Sequence, residues 1–175
     1  MKLVASIDAP YNSFMKTRNI TIRFRMRVLW LAILASTLMG MPKTVLSFEE
    51  INTSFFGNLA LHGYDAVSYF VDQQAVEGLK TFSAEWNNAV WWFSNAQNKE
   101  RFLATPETFA PQYGGHCSNQ MSLGNLSDID PNVWMIVDNK LYLFGHDNGR
   151  IRWQTETREK INSADTHWRN KLSEE

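Results

Sequence analysis

Two pairs of β-prone runs constrain the fold more than any other feature of this sequence. Within each pair only two residues separate the runs, Asn87-Asn88 in the first pair and Asp138-Asn139 in the second. The runs are rich in aromatic and β-branched residues, and they are Thr81–Trp86, Ala89–Phe93, Val133–Val137 and Lys140–Phe144. Strands that are joined by two residues form tight antiparallel hairpins. The sequence therefore predicts two hairpins that form a small antiparallel sheet.

Helical patterns follow each predicted hairpin. Ser94 and Gln97 match a capping box, which predicts a short helix over Asn95–Ala104 that ends before Pro106. Beyond Asp147, five residues recur at spacings of three or four and define one face of a helix: Trp153, Thr157, Ile161, Ala164 and Trp168. We therefore expect an α+β fold, in which a small antiparallel sheet of two hairpins packs against short helices and a C-terminal amphipathic helix.

Four shorter segments give local expectations. Phe48–Leu59 has some helical character, and the β-prone run Val67–Val71 predicts an extended segment. Cys117–Ser122 predicts a short helix that ends at a glycine. Asn162-Ser163 predicts a kink or a division of the last helix.

The N-terminal residues resemble a secretory leader. Three arginines within Arg23–Arg27 precede the apolar run Val28–Met41. That run is shorter than the roughly 20 residues that a membrane-spanning helix needs, and it matches the h-region of a signal peptide. We expect a signal peptide over residues 1–47 with cleavage after Ser47, and Met26 is a plausible true start. The mature protein is then periplasmic or secreted, and it meets the membrane only through its leader during export.

The predicted mature domain, residues 48–175, is acidic. It carries ten Lys and Arg residues against seventeen Asp and Glu residues, for a net charge of −7. Nucleic-acid phosphates require a basic surface, so this composition argues against a nucleic-acid partner. The sequence points to no particular protein partner.

The segment Tyr113–Gly124, YGGHCSNQMSLG, gathers the side chains most suited to chemistry. It contains the only cysteine, Cys117, beside His116, and Met121 follows four residues later. An exported chain with one cysteine has no internal disulfide partner. Cys117 is then a buried inert thiol, an intermolecular bridge, or a reactive or metal-binding group.

Soft-metal binding is the most specific functional hypothesis. Thiolate and thioether groups are soft ligands, and two or three of them with an imidazole suffice for Cu(I). The predicted metal site comprises Cys117, His116, Met121 and His62, and copper or another soft ion is the expected cofactor. A closed zinc site of four Cys or His ligands has no supporting spacing in the sequence.

Two alternatives belong to other classes of protein. A thiol-dependent redox or transfer enzyme would need an exposed and acidic Cys117. A small-ligand or protein-interaction module would use an aromatic pocket, for which Trp91, Trp92, Trp134, Trp153 and Trp168 are the candidates. Three carboxylates near turns, Asp65, Asp128 and Asp130, are expected to cap those turns rather than to act as catalysts. Binding is favoured over catalysis.

Four segments of the predicted domain resemble the YHS domain family in its longer, exported form. They are GYDAVSYF at Gly63–Phe70, WNNAVWWFSNAQNKERFLATPETFAPQYGGHC at Trp86–Cys117, DIDPNVWMIVDNKLYLF at Asp128–Phe144, and ADTHW at Ala164–Trp168. The resemblance covers about residues 59–170 and implies a small α+β module. Short members of the family are linked to heavy-metal handling and carry cysteines that this chain lacks at Tyr64–Ser68 and Trp91–Ser94.

Overall fold

The computed structural model describes residues 50–54 and 58–173. These residues belong to one compact unit, Ser47–Glu175. The predicted signal peptide lies outside the described residues, so its boundary stays a prediction. Within the part of the chain that is described, no helix is long and apolar enough to cross a membrane.

The fold combines short helices with two hairpins, which confirms the predicted α+β class. The helices in chain order are α1 (Ser68–Val71), α2 (Ala96–Ala104), α3 (Pro106–Phe109), α4 (Ser118–Met121), α5 (Asp147–Thr155) and α6 (Thr157–Ser173). The strands are β1 (Leu79–Trp86), β2 (Ala89–Phe93), β3 (Asp130–Val137) and β4 (Lys140–Phe144). Single 3₁₀ turns occupy Leu61–Gly63 and Gln112–Gly115.

Both predicted hairpins form with the predicted two-residue turns. β1 pairs with β2 and β3 pairs with β4, each in antiparallel register. The turn residues Asn87, Asn88, Asp138 and Asn139 all have positive φ, between 47° and 59°. That backbone matches the twist of a tight hairpin, and Asn and Asp adopt it at low cost. The hairpins are two separate two-stranded sheets rather than one sheet.

The two hairpins share no ladder, and α1 contacts the second hairpin through a side chain. Tyr69 on α1 is fully buried and donates a hydrogen bond from its hydroxyl to the Pro131 carbonyl oxygen at 2.9 Å. Its ring also packs against that of Trp134 on β3 in a T-shaped arrangement, with a centroid distance of 5.3 Å. Since Tyr69 follows the turn that packs on the first hairpin, α1 connects the two halves of the core.

The fully buried carboxylate of Asp65 organises the first hairpin and α2. Its Oδ1 accepts a hydrogen bond from the Val67 backbone N–H at 2.9 Å. Its Oδ2 accepts from the Ser94 N–H at 2.9 Å, from the Ser94 hydroxyl at 2.7 Å and from Asn98 Nδ2 at 2.7 Å. The turn-capping role expected for Asp65 is confirmed, and the same side chain also fixes the end of β2 against α2.

Two local predictions near α1 and α2 were wrong. Val67–Val71 is not extended, because the turn held by Asp65 sets Val67 in a helical conformation and α1 follows. The N-cap of α2 is Asn95, whose Oδ1 accepts the Asn98 N–H at 2.8 Å. Ser94 does not cap α2: its hydroxyl donates to Asp65 Oδ2, and its oxygen accepts from the Asn98 side chain at 3.3 Å.

Two further predictions were wrong at the ends of the domain. The C-terminal helix divides at Glu156, where φ is −139°, and not at Asn162-Ser163. Threonine hydroxyls flank that break and hydrogen-bond backbone carbonyls, which competes with helix continuation. The described part of the N-terminal segment is not helical, since Thr53 pairs with Ala60 in an antiparallel bridge.

Candidate functional site

His62 is held by a carboxylate beside the cysteine segment. His62 Nε2 lies 2.8 Å from Asp128 Oδ1, and the same oxygen accepts from Asn52 Nδ2 at 3.1 Å and from the Ile129 N–H at 2.8 Å. Partial burial by itself raises the pKa of the Asp128 carboxyl, but the hydrogen bonds and the His62 ring outweigh it and lower that pKa below its usual value. One nitrogen of His62 is therefore already engaged by Asp128.

Cys117 and Met121 lie together in the turn of α4. The Met121 N–H donates to the Cys117 carbonyl oxygen at 2.9 Å, which confirms the predicted short helix. Cys117 is 4% exposed, and its sulfur accepts the Gly145 N–H at 3.3 Å. Met121 is fully buried. The thiol is thus a buried group with one polar contact.

His116 has a different environment from its neighbour. Its backbone is extended, with φ −73° and ψ 158°, so adjacent side chains diverge. Its ring lies 6.1 Å from that of Trp168 on α6. In the described part of the chain, no three His, Cys, Asp or Glu side chains converge to hold a metal ion. The soft-metal site stays a prediction, which Cu(I) titration of the native protein against Cys117→Ala would decide.

The burial of Cys117 predicts that its thiol reacts slowly with alkylating reagents in the folded protein. We expect a neutral alkylating reagent to modify native Cys117 on the order of a hundredfold more slowly than the unfolded chain, because the sulfur must first be exposed by an opening of the fold. The measurement is the rate of thiol modification with and without denaturant, and the single cysteine makes the signal unambiguous. Equal rates in the two conditions would restore the thiol-enzyme alternative.

A cavity of about 350 Å³ opens on the other side of the Gly-Gly segment. Its walls come from the 3₁₀ turn at Gln112–Gly115, from α6, from the end of β1 and from the N-terminal segment. The residues that give it chemical character are Glu50, Trp86, Tyr113, Asp165, Trp168 and Arg169. These residues come from four separate segments of the sequence, which the fold brings together.

An unusual backbone places Tyr113 in the cavity wall. Tyr113 and Gly114 both have left-handed φ angles, 57° and 59°. That conformation is uncommon for a bulky residue and frequently marks a functional site. Only glycine fits at position 114, because a Cβ there would overlap the Glu50 carbonyl oxygen. The Gly114 carbonyl oxygen also accepts a hydrogen bond from the Asn52 N–H at 2.8 Å.

Tyr113 is tied to α6 by a hydrogen bond. Its hydroxyl donates to Asp165 Oδ1 at 2.9 Å, and its ring packs at 6.2 Å from Trp168. Burial, followed by the bond to Asp165 and its negative charge, raises the pKa of Tyr113 far above its ordinary value. The phenol therefore stays protonated and remains a donor to the carboxylate throughout the physiological range.

The five tryptophans that were candidates for an aromatic pocket do not line one cavity. Trp91 and Trp153 are buried in the core, and Trp134 packs against Tyr69. Of the five candidates only Trp168 lines this cavity. Sequence reasoning missed Trp86, Tyr113 and Asp165; the tyrosine before Gly-Gly was a visible signal, although its left-handed backbone was not.

No protein-family model, curated protein or solved structure matches this chain.

Proposed function

We propose that this protein is an exported, YHS-type binding module that receives a small ligand in the cavity beside Tyr113. The leader pattern supports export, and the four matching segments support the family. The observation that carries the binding function is the convergence of three aromatic rings and three charged side chains on one cavity. This proposal favours the ligand-binding alternative over a thiol-dependent enzyme, whose nucleophile would be the buried Cys117.

The dimensions and the lining of the cavity support a ligand of low molecular weight. Pockets for small molecules begin at about 300 Å³ and combine apolar walls with a few convergent polar groups. Trp86, Tyr113 and Trp168 supply the apolar walls here. The hydroxyl of Tyr113 and the carboxylate of Asp165 supply a fixed polar pair, since they already bind each other at 2.9 Å.

The wall of the cavity is fixed before a ligand arrives. Asp165, Trp168 and Arg169 lie three and four residues apart on α6, a helix of 17 residues, and therefore share one face. The wall formed by the 3₁₀ turn is held by a hydrogen bond from the Asn52 N–H to the Gly114 carbonyl oxygen. A pre-formed site loses little conformational entropy on binding, so even a small ligand can bind measurably.

A fragment screen by ligand-observed NMR tests the proposal. We expect the purified full chain to give hits whose signals disappear in Trp168→Leu, because that change removes a ring from the cavity wall. The matched control is Trp134→Leu, which removes a half-buried tryptophan outside the cavity. Thermal unfolding of both variants checks that each remains folded.

Two outcomes of the screen would refute the proposed function. One is the absence of any fragment that binds the folded protein. The other is a set of hits that Trp168→Leu and Trp134→Leu affect equally, since those fragments would bind elsewhere.

A further inference from the structure

We propose that the cavity selects an organic cation of the quaternary or methylated ammonium class. This inference rests on the proposed function, because it names the ligand class of the same cavity. It follows from two independent properties of the lining: the rings that face the space, and the excess of negative over positive side chains.

The aromatic part of the lining comes from three separate elements. Trp86 ends β1, Tyr113 lies in the 3₁₀ turn, and Trp168 belongs to α6. The planes of Tyr113 and Trp168 meet at 66°, so they form two walls rather than a stack. A cation that lies near the face of such rings is attracted by their negative π-clouds, and a cage of rings excludes the water that would weaken the attraction.

The charged side chains of the lining also favour a cationic ligand. Among the described lining residues, Glu50 and Asp165 carry negative charge and Arg169 carries positive charge, which leaves a net charge of −1. Among the described residues, the ion pairs do not include Asp165, and its carboxylate accepts only the neutral Tyr113 hydroxyl. Within the part of the chain that the structure describes, the carboxylate of Asp165 therefore has no paired cation.

Arg169 does not neutralise that carboxylate. Its side chain is exposed, and its Nε donates to the Asp165 backbone carbonyl oxygen at 3.2 Å. An anionic ligand bound to Arg169 would meet two carboxylates, and the Tyr113 hydroxyl is already directed to Asp165. The negative charge of the whole domain also raises the local concentration of cations over that of anions. The balance therefore favours a cation.

A comparison of choline with its neutral carbon isostere tests the inference. In the isostere the ammonium nitrogen is replaced by carbon, so shape is kept and charge is lost. We expect calorimetry on the full chain to show saturable choline binding that is about tenfold tighter than binding of the isostere. Added salt should weaken only the binding of choline.

A matched pair of variants tests whether the charge of Asp165 is the source of the preference for choline. Asp165→Asn keeps an acceptor for Tyr113 but removes the charge, so we expect it to weaken choline about tenfold and to leave the isostere unchanged. Glu159→Gln removes an acidic side chain from the same helix outside the cavity and should change neither affinity.

Three results would overturn the inference. If the isostere binds as tightly as choline, the cavity does not select charge, although the small-ligand function stands. If acetate binds and Arg169→Gln abolishes that binding, the preference is for anions. If choline does not bind, the ligand class is wrong, and the fragment screen then decides separately whether the cavity binds small molecules at all.

Discussion

Replacing Asp65 with alanine is expected to lower the free energy of unfolding by about 4 kcal/mol. Asp65 is fully buried, and its carboxylate accepts four hydrogen bonds from Val67, Ser94 and Asn98. Alanine removes this acceptor from buried donors of Val67 and Asn98 and from the partly buried donors of Ser94, and each buried unsatisfied group costs about 1–3 kcal/mol. Relaxation of the fold recovers part of the total cost of these unsatisfied donors, so we expect a net loss of about 4 kcal/mol.

Asp130→Ala is the matched control for Asp65→Ala. Asp130 also caps a turn, since its Oδ1 accepts from the Asn132 N–H at 2.9 Å, but that bond is exposed to solvent. Water replaces the lost acceptor there, so we expect a loss of about 1 kcal/mol or less. The measurement is urea denaturation of both variants and the wild type. Equal losses for the two variants would mean that the Asp65 network does not hold the first hairpin to α2.

Gly78→Ala is expected to lower the free energy of unfolding by about 3 kcal/mol, a typical cost of severe overpacking. A Cβ at Gly78 would lie 2.5 Å from the carbonyl carbon of Trp92 and 2.7 Å from its oxygen. Those atoms belong to β2 and cannot move without disturbing its ladder with β1. The Gly78 N–H also donates to the Gly63 carbonyl at 2.8 Å, so a displaced Gly78 would lose a backbone bond as well.

Gly149→Ala separates this steric effect from the general effect of adding a methyl group. Gly149 lies in α5, and the nearest atoms to an added Cβ are 3.5 Å or more away. Alanine favours a helix over glycine by up to about 1 kcal/mol, so this variant should be neutral or slightly more stable. Thermal unfolding of the two alanine variants checks the prediction. A Gly78→Ala protein as stable as the wild type would show that the chain at Gly78 can shift away from Trp92.

Local patterns predicted most of the secondary structure. Each hairpin depends on a two-residue turn that the adjacent sequence specifies, and both formed as expected. The predictions for Val67 and Ser94 were wrong because both residues contact Asp65, and Ser94 is 29 residues away from it. Secondary-structure propensities depend on neighbouring residues, so they do not reveal a contact between residues that far apart.

The candidate site was largely invisible to sequence reasoning for the same reason. Tyr113 and Asp165 are 52 residues apart, and neither resembles a binding motif. Trp168 was correctly placed on the packing face of the last helix, but the sequence did not show what it would face. The predicted metal residues have different contacts: His62 contacts Asp128, the Cys117 sulfur contacts Gly145, and the ring of His116 lies near Trp168.

The separation of the two ladders has a consequence for how the chain folds. The outermost pairs, Leu79 with Phe93 and Asp130 with Phe144, join residues close in sequence, so each hairpin closes a short loop at small entropic cost. The Tyr69–Pro131 bond, by contrast, spans 62 residues. We therefore expect the two hairpins to form first, and the long-range contacts that unite them, such as the Tyr69–Pro131 hydrogen bond, to form later.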